Sequence, residues 1–214
     1  MGGKQLDLFN KPSGRTAILT ASGFVLDLTN PDATGLPVED VARALAYQPR
    51  WCGATKHFYS VAEHSVMVSR LVPEPLAYHA LWHDAIEFIQ GDWPSPLKVY
   101  LGRDNINRKL APIEEALSRR FGFDMHVEEV KKADLVAMAT ELRDLLPGAW
   151  MDWGHLPEPA RERIEPVGPE RAFDLFMERY EQVKHLARKP DPVRISRRRT
   201  ASRQATPAAS RNKA

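Results

Sequence analysis

Between positions 83 and 92 the chain reads His-Asp-Ala-Ile-Glu-Phe-Ile-Gln-Gly-Asp. An adjacent His83-Asp84 pair suits a metal ion, and the nearby Glu87 and Asp92 suit proton transfer. On a helix turning about 100° per residue, Glu87 lies three residues after Asp84 and four after His83, so the three side chains share one face. The neighbours Ala80, Leu81, Trp82, Ala85, Ile86, Phe88 and Ile89 are apolar. Polar groups set among them are costly to bury unless a cation or hydrogen bonds compensate.

The elements that position this cluster can be read from caps and periodicity. Arg15 to Leu19 and Phe24 to Leu28 are β-prone runs around Ala21-Ser22-Gly23, which predicts a small N-terminal hairpin. Pro37 to Tyr47 carries Val38, Val41, Ala42 and Leu45 at helical spacing, with Pro37 in the first turn. Gln48 to Tyr59 reads as a loop. Ser60-Val61-Ala62-Glu63 matches a capping box that starts a helix running to about Val72, with His64 in or just beyond its first turn and Glu63 assigned to the cap. A helix is expected from Pro75 to about Gln90, closed by Gly91 as C-cap. Further helices are expected from Arg103 to Phe121, from Met125 to Leu146 with Asp124 as N-cap, and from Pro169 to Ala187. The Pro-, Gly- and Trp-rich stretch from Pro147 to Pro166 reads as a structured loop. The expected fold is all-α, with about six helices and a small hairpin.

At 214 residues the chain has room for one domain with a sizeable core. Its one cysteine, Cys52, excludes an intramolecular disulfide framework and a Cys-rich zinc module, and fits a reducing compartment. No run approaches a membrane span and the first residues lack a secretory signal, so the cytoplasm is the expected location. From Arg188 to Ala214 there are nine Lys or Arg and one acid, a net of +8 against +2 for the whole chain, so the body is acidic. The expected division is therefore a domain over 1–187 and a disordered basic tail over 188–214. Such a tail either solubilises the chain or adds weak attraction to nucleic acid.

Four motifs stand in order over about 85 residues: Arg50-Trp51, Val61-Ala62-Glu63-His64-Ser65, His83 through Lys98, and Lys131-Lys132-Ala133-Asp134. Together they resemble the HD-domain metal-dependent phosphohydrolases, nearest the branch of bacterial 5′-deoxynucleotidases and phage deoxynucleoside triphosphate hydrolases. The motifs of that branch read R-W or R-F, (V/S)-x-E-H-S, HDxxExxxGDxPxPxK and K-x-A-D. The resemblance covers about residues 15–187. It implies an HD-type helical fold, metal ligation by His64, His83, Asp84 and Asp134, functional weight on both Glu87 and Asp92, and a homo-oligomer.

Two imidazoles and two carboxylates suit a divalent ion such as Mn²⁺, Co²⁺, Fe²⁺, Zn²⁺ or Mg²⁺. Asp134 is expected mid-helix among Leu135, Val136 and Met138. Arg50 offers a bidentate fork and Lys98 a point charge for phosphate. Lys131 either joins them or pairs with Glu128. Trp51 either stacks on a base or packs in its loop, and Trp93 is expected in the core. His57 is read as a surface residue and His79 as a packed one rather than a ligand. His126, His155 and His185 have no companions at ligand spacing, and the resemblance, whose dinuclear members carry extra histidines between the HD pair and the last Asp, implies one catalytic metal, with a second ion on the phosphates if the substrate is a triphosphate.

The expected activity is hydrolysis of a deoxynucleoside 5′-monophosphate. A deoxynucleoside triphosphate triphosphohydrolase is the alternative, and a non-catalytic nucleotide or nucleic-acid binding protein the remote one. The triphosphate reading requires Arg50, Lys98, Lys131 and Lys132 to converge.

Overall fold

The computed structural model describes residues 16–146 and 154–188. The described part of the chain is all-α apart from one hairpin. Strands β1 (Ala17–Leu19) and β2 (Val25–Asp27) pair antiparallel, with Ile18 opposite Leu26. Asp40 tethers the hairpin to the first helix, because its carboxylate accepts from the Thr20 hydroxyl and from the Ser22 backbone and hydroxyl. The eight α-helices among the described residues are α1 (Val38–Tyr47), α2 (Val61–Leu71), α3 (Ala77–Leu81), α4 (Glu87–Gln90), α5 (Ser95–Tyr100), α6 (Arg103–Phe121), α7 (Glu128–Asp144) and α8 (Pro169–Val183). None is long and apolar enough to cross a membrane. The expected basic tail lies outside the described residues, except for Arg188.

The core gathers around Trp82, which is fully buried. Its ring stacks on Phe121 at 4.2 Å and on Phe123 at 5.9 Å, and meets Phe176 and Tyr180 edge-on. Aromatic pairs in these geometries add about 0.5–1.5 kcal/mol each beyond the area they bury. Leu45, Val61, Leu81, Leu117 and Phe176 complete the packing between α1, α2, α3, α6 and α8. A smaller apolar group, Val68, Ala80, Val130, Ala133 and Ala137, seats α7 against α2 and α3. Its alanines flank Asp134, so α7 can approach closely there. Leu135, by contrast, is 42% exposed, and the expected apolar surroundings of Asp134 are provided by these alanines instead.

Several boundaries depart from the expectation for identifiable reasons. The helix expected over Pro75 to Gln90 is broken into a short 3₁₀ turn (Glu74–Leu76), α3 and α4. The His83 ring N–H donates to the Ala80 carbonyl at 2.7 Å, taking the acceptor that an α-helix reserves for the amide of residue 84. The bonds that follow run three residues back, from Ala85 to Trp82 and from Glu87 to Asp84. Asp124 does not cap α7, which begins after Val127. Its carboxylate pairs with Arg188 at 2.6 Å instead. Trp93 is 36% exposed rather than in the core. Ser95 to Tyr100 form a helix, α5, and Pro37 is the N-cap of α1 rather than a residue of its first turn.

Candidate metal and proton-transfer site

Helix α2 begins as its sequence demands. The Ser60 hydroxyl accepts the Glu63 N–H while Glu63 accepts the Ser60 N–H, so His64 lies one residue beyond a closed cap. Glu63 does more than cap, because its other oxygen accepts the Val167 N–H at 2.8 Å and ties the segment before α8 to α2. His64 is fully buried. Its Nε2 lies 3.2 Å from His83 Nε2, 3.1 Å from Asp134 Oδ1 and 3.4 Å from Asp84 Oδ2. His64, His83 and Asp134 bring one ligand atom each within 4.8 Å of one another, which makes them a possible metal-binding triad. Asp84 Oδ2 stands 3.2 Å from His83 Nε2 and also faces Arg50 Nη1 at 3.6 Å.

Nearby, the loop before α2 contributes Arg50. Its guanidinium reaches Asp92 at 3.5 Å and Glu141 at 3.4 Å as well as Asp84. Trp51 and Cys52 hold positive φ angles of 56° and 52° in a tight turn. That conformation disfavours residues with a Cβ. The turn is held by Asp92, whose carboxylate accepts the Trp51 N–H at 2.6 Å, and by the Trp51 indole, which donates to Glu141 at 2.8 Å. Asp92 is delivered by Gly91, which takes φ 79° at the end of α4.

Glu141 was not singled out by the sequence. It is fully buried on α7, seven residues after Asp134 and therefore on the same face, and it accepts the His64 Nδ1–H at 2.7 Å. The available signal was that two-turn spacing from Asp134.

Charge state follows from this packing. Burial and Arg50 work against a charged His64, yet Glu141, Asp134 and Asp84 hold its pKa well above the usual histidine value. Burial likewise opposes the charge on Asp84, but His83 and His64 hold that carboxyl well below the usual range. Glu87 behaves oppositely. Burial, then Asp84 and Asp92, push its pKa well above the usual glutamate value, and its Oε2 is buried with no hydrogen-bond partner among the described residues.

The remaining candidates divide. Lys98, on α5, is close enough to act electrostatically on Glu87. Lys131 and Lys132 are exposed, and Lys131 lies 4.0 Å from Glu128. His79 accepts the Asp124 N–H on its Nδ1, as a packed histidine, and His57 is on the surface.

The donor set fits a divalent cation. Five carboxyl groups, of Asp84, Glu87, Asp92, Asp134 and Glu141, crowd round one guanidinium and two imidazoles. That crowding of carboxyl groups raises the pKa of both histidines and of Glu87 above their usual values.

No family model matches the chain. It is 37% identical over 175 residues to the Escherichia coli protein YfdR, covering 79% of this chain and 96% of that one. It is 33% identical over 138 residues to a Rhodobacter capsulatus protein, covering 58% of this chain and 70% of that protein. Both relatives are described as uncharacterized, so neither name states an activity. The extent of these matches places the chain in one family with Escherichia coli YfdR, and to that family it belongs.

Proposed function

We propose that this protein is a divalent-metal-dependent phosphohydrolase of the HD type that releases phosphate from deoxynucleoside 5′-monophosphates. The observation that carries the reading is the meeting of His64 Nε2, His83 Nε2 and Asp134 Oδ1 within 4.8 Å, beside a buried Glu87 with an unpartnered oxygen. In this reading His64, His83, Asp84 and Asp134 hold the ion, which supplies positive charge against the phosphate and acidifies water. Glu87 is the proton-transfer group, because it is buried beside the ligands with an oxygen that has no partner among the described residues, and burial with Asp84 and Asp92 favours its protonated form. Asp92 faces the same space, but its two oxygens already hold the Arg50-Trp51 turn. Arg50 and Lys98 are the phosphate contacts, and Arg50 must exchange part of its carboxylate pairing for the substrate. The Trp51 indole N–H is committed to Glu141.

The exposure of Lys131 and Lys132 favours a monophosphate over a triphosphate, since the extra cations that a triphosphate needs do not gather at the site. By resemblance, the active form is a homo-oligomer.

The deciding experiment is a screen of dNMPs, NMPs, dNTPs and NTPs with Mn²⁺, Co²⁺ and Mg²⁺, scoring phosphate and triphosphate release. Phosphate from dNMPs, abolished in Asp84→Ala, is the expected result. Triphosphate release from dNTPs would replace the monophosphate reading, and silence with every metal and substrate would remove the enzyme reading.

A further inference from the structure

Glu141 is a fully buried carboxylate whose two oxygens face donors from two different elements. Oε1 accepts from His64 Nδ1 at 2.7 Å, and Oε2 accepts from the Trp51 indole at 2.8 Å and faces Arg50 Nη2 at 3.4 Å. Tyr59, also buried, lies against the same carboxylate. Each of these partners of the Glu141 carboxylate among the described residues is a donor or a cation. An ionised carboxylate only accepts, so it alone can serve all of them at once.

This geometry has a consequence for His64. A ring whose Nδ1–H is donated to Glu141 presents Nε2 as the coordinating atom, and Nε2 is the atom that faces His83 and Asp134. Histidine ligands gain orientation and basicity from such an outer carboxylate. The same side chain also grips the turn in which Trp51 and Cys52 hold left-handed φ angles, which is the turn that presents Arg50.

We infer that Glu141 is a positioning residue that fixes the His64 tautomer for metal binding and locks the Arg50-Trp51 turn to the metal ligands through one carboxylate. The inference rests on the metal-site reading above. It assigns Glu141 no contact with substrate. Asp134 and Glu141, two turns apart on α7, thus give one helix both a ligand and the support for another ligand.

Glu141→Gln tests this with little change in shape. An amide has one accepting and one donating end, so it cannot receive from both His64 and Trp51. Calorimetric titration of the full chain with Mn²⁺ should show the affinity of Glu141→Gln reduced about 10- to 100-fold, with cooperative thermal unfolding retained. Wild-type affinity in a folded Glu141→Gln protein overturns the inference. If that variant does not fold, ¹⁵N NMR of the wild-type imidazoles with Zn²⁺ bound answers the same question. A protonated Nδ1 on His64 is expected, and a bare Nδ1 overturns the assignment. A wild-type protein that takes up neither Mn²⁺ nor Zn²⁺ removes the metal-site reading itself, a result distinct from an unaffected Glu141→Gln.

Discussion

Trp82 and His83 are joined by one peptide bond and face opposite kinds of interior. Trp82 enters a cluster of Phe121, Phe123, Phe176 and Tyr180, where contact area and ring geometry do the holding. His83 enters a cluster of imidazoles, carboxylates and one guanidinium, where most of the charged groups face a specific partner and Glu87 Oε2 does not. The aromatic side stabilises the fold without directional demands. On the polar side, burying a charge costs more unless a partner offsets it.

If the two sides are separable in this way, substitutions should sort into those that change function and those that change stability. The largest effect is expected from Glu87→Ala, with turnover reduced about 10²- to 10⁴-fold while Mn²⁺ still binds. Full turnover in that variant would remove Glu87 as the proton-transfer group. Trp82→Ala should lower unfolding free energy by about 3–5 kcal/mol in denaturant titrations, while Mn²⁺ affinity of the folded fraction stays near wild type. A parallel loss of metal affinity would mean that the two sides act as one unit.

A smaller effect is expected at the far end of α7. Asp144, whose side chain is 5% exposed, accepts the Ile164 N–H and pairs with Arg143 and Arg163. These bonds fasten the segment before α8, so Asp144→Ala should cost about 1–3 kcal/mol by thermal or denaturant unfolding and leave metal uptake intact.

The smallest effect concerns pH. Burial and two neighbouring acids raise the folded-state pKa of Glu87, so the folded protein holds this proton more tightly than the unfolded chain. The contribution is fully present below the unfolded value and is lost as pH rises toward the folded one. In metal-free protein, the melting temperature of Glu87→Gln minus that of wild type should therefore increase as pH rises above the usual glutamate range. A flat difference would show that Glu87 is not held protonated.

Local chemistry made much of this legible in the chain. The Ser60–Glu63 capping box places α2, and with it His64, because both of its hydrogen bonds lie within four residues. The hairpin, α6 and α8 were legible because their signals are also local. The break at His83 was not, since an apolar period of helical type persists through residues 77–90 while a ring N–H takes the Ala80 carbonyl. Asp124 carries the residue type of a cap, but Arg188, 64 positions away, is its partner.

The same division separates the parts of the site. Residue type and spacing, with the family resemblance, singled out His64, His83, Asp84, Glu87, Asp92 and Asp134 as candidates, and of these His64, His83 and Asp134 meet as a possible metal-binding triad. Tertiary structure alone decided that Asp92 holds a turn, that Trp51 directs its indole N–H to Glu141, and that Glu141 supports His64. Spacing reports what one helix or turn can align. A buried carboxylate acquires its role only when α7 packs on α2 and the Arg50 loop closes over both, because its partners come from residues 77 and 90 positions away.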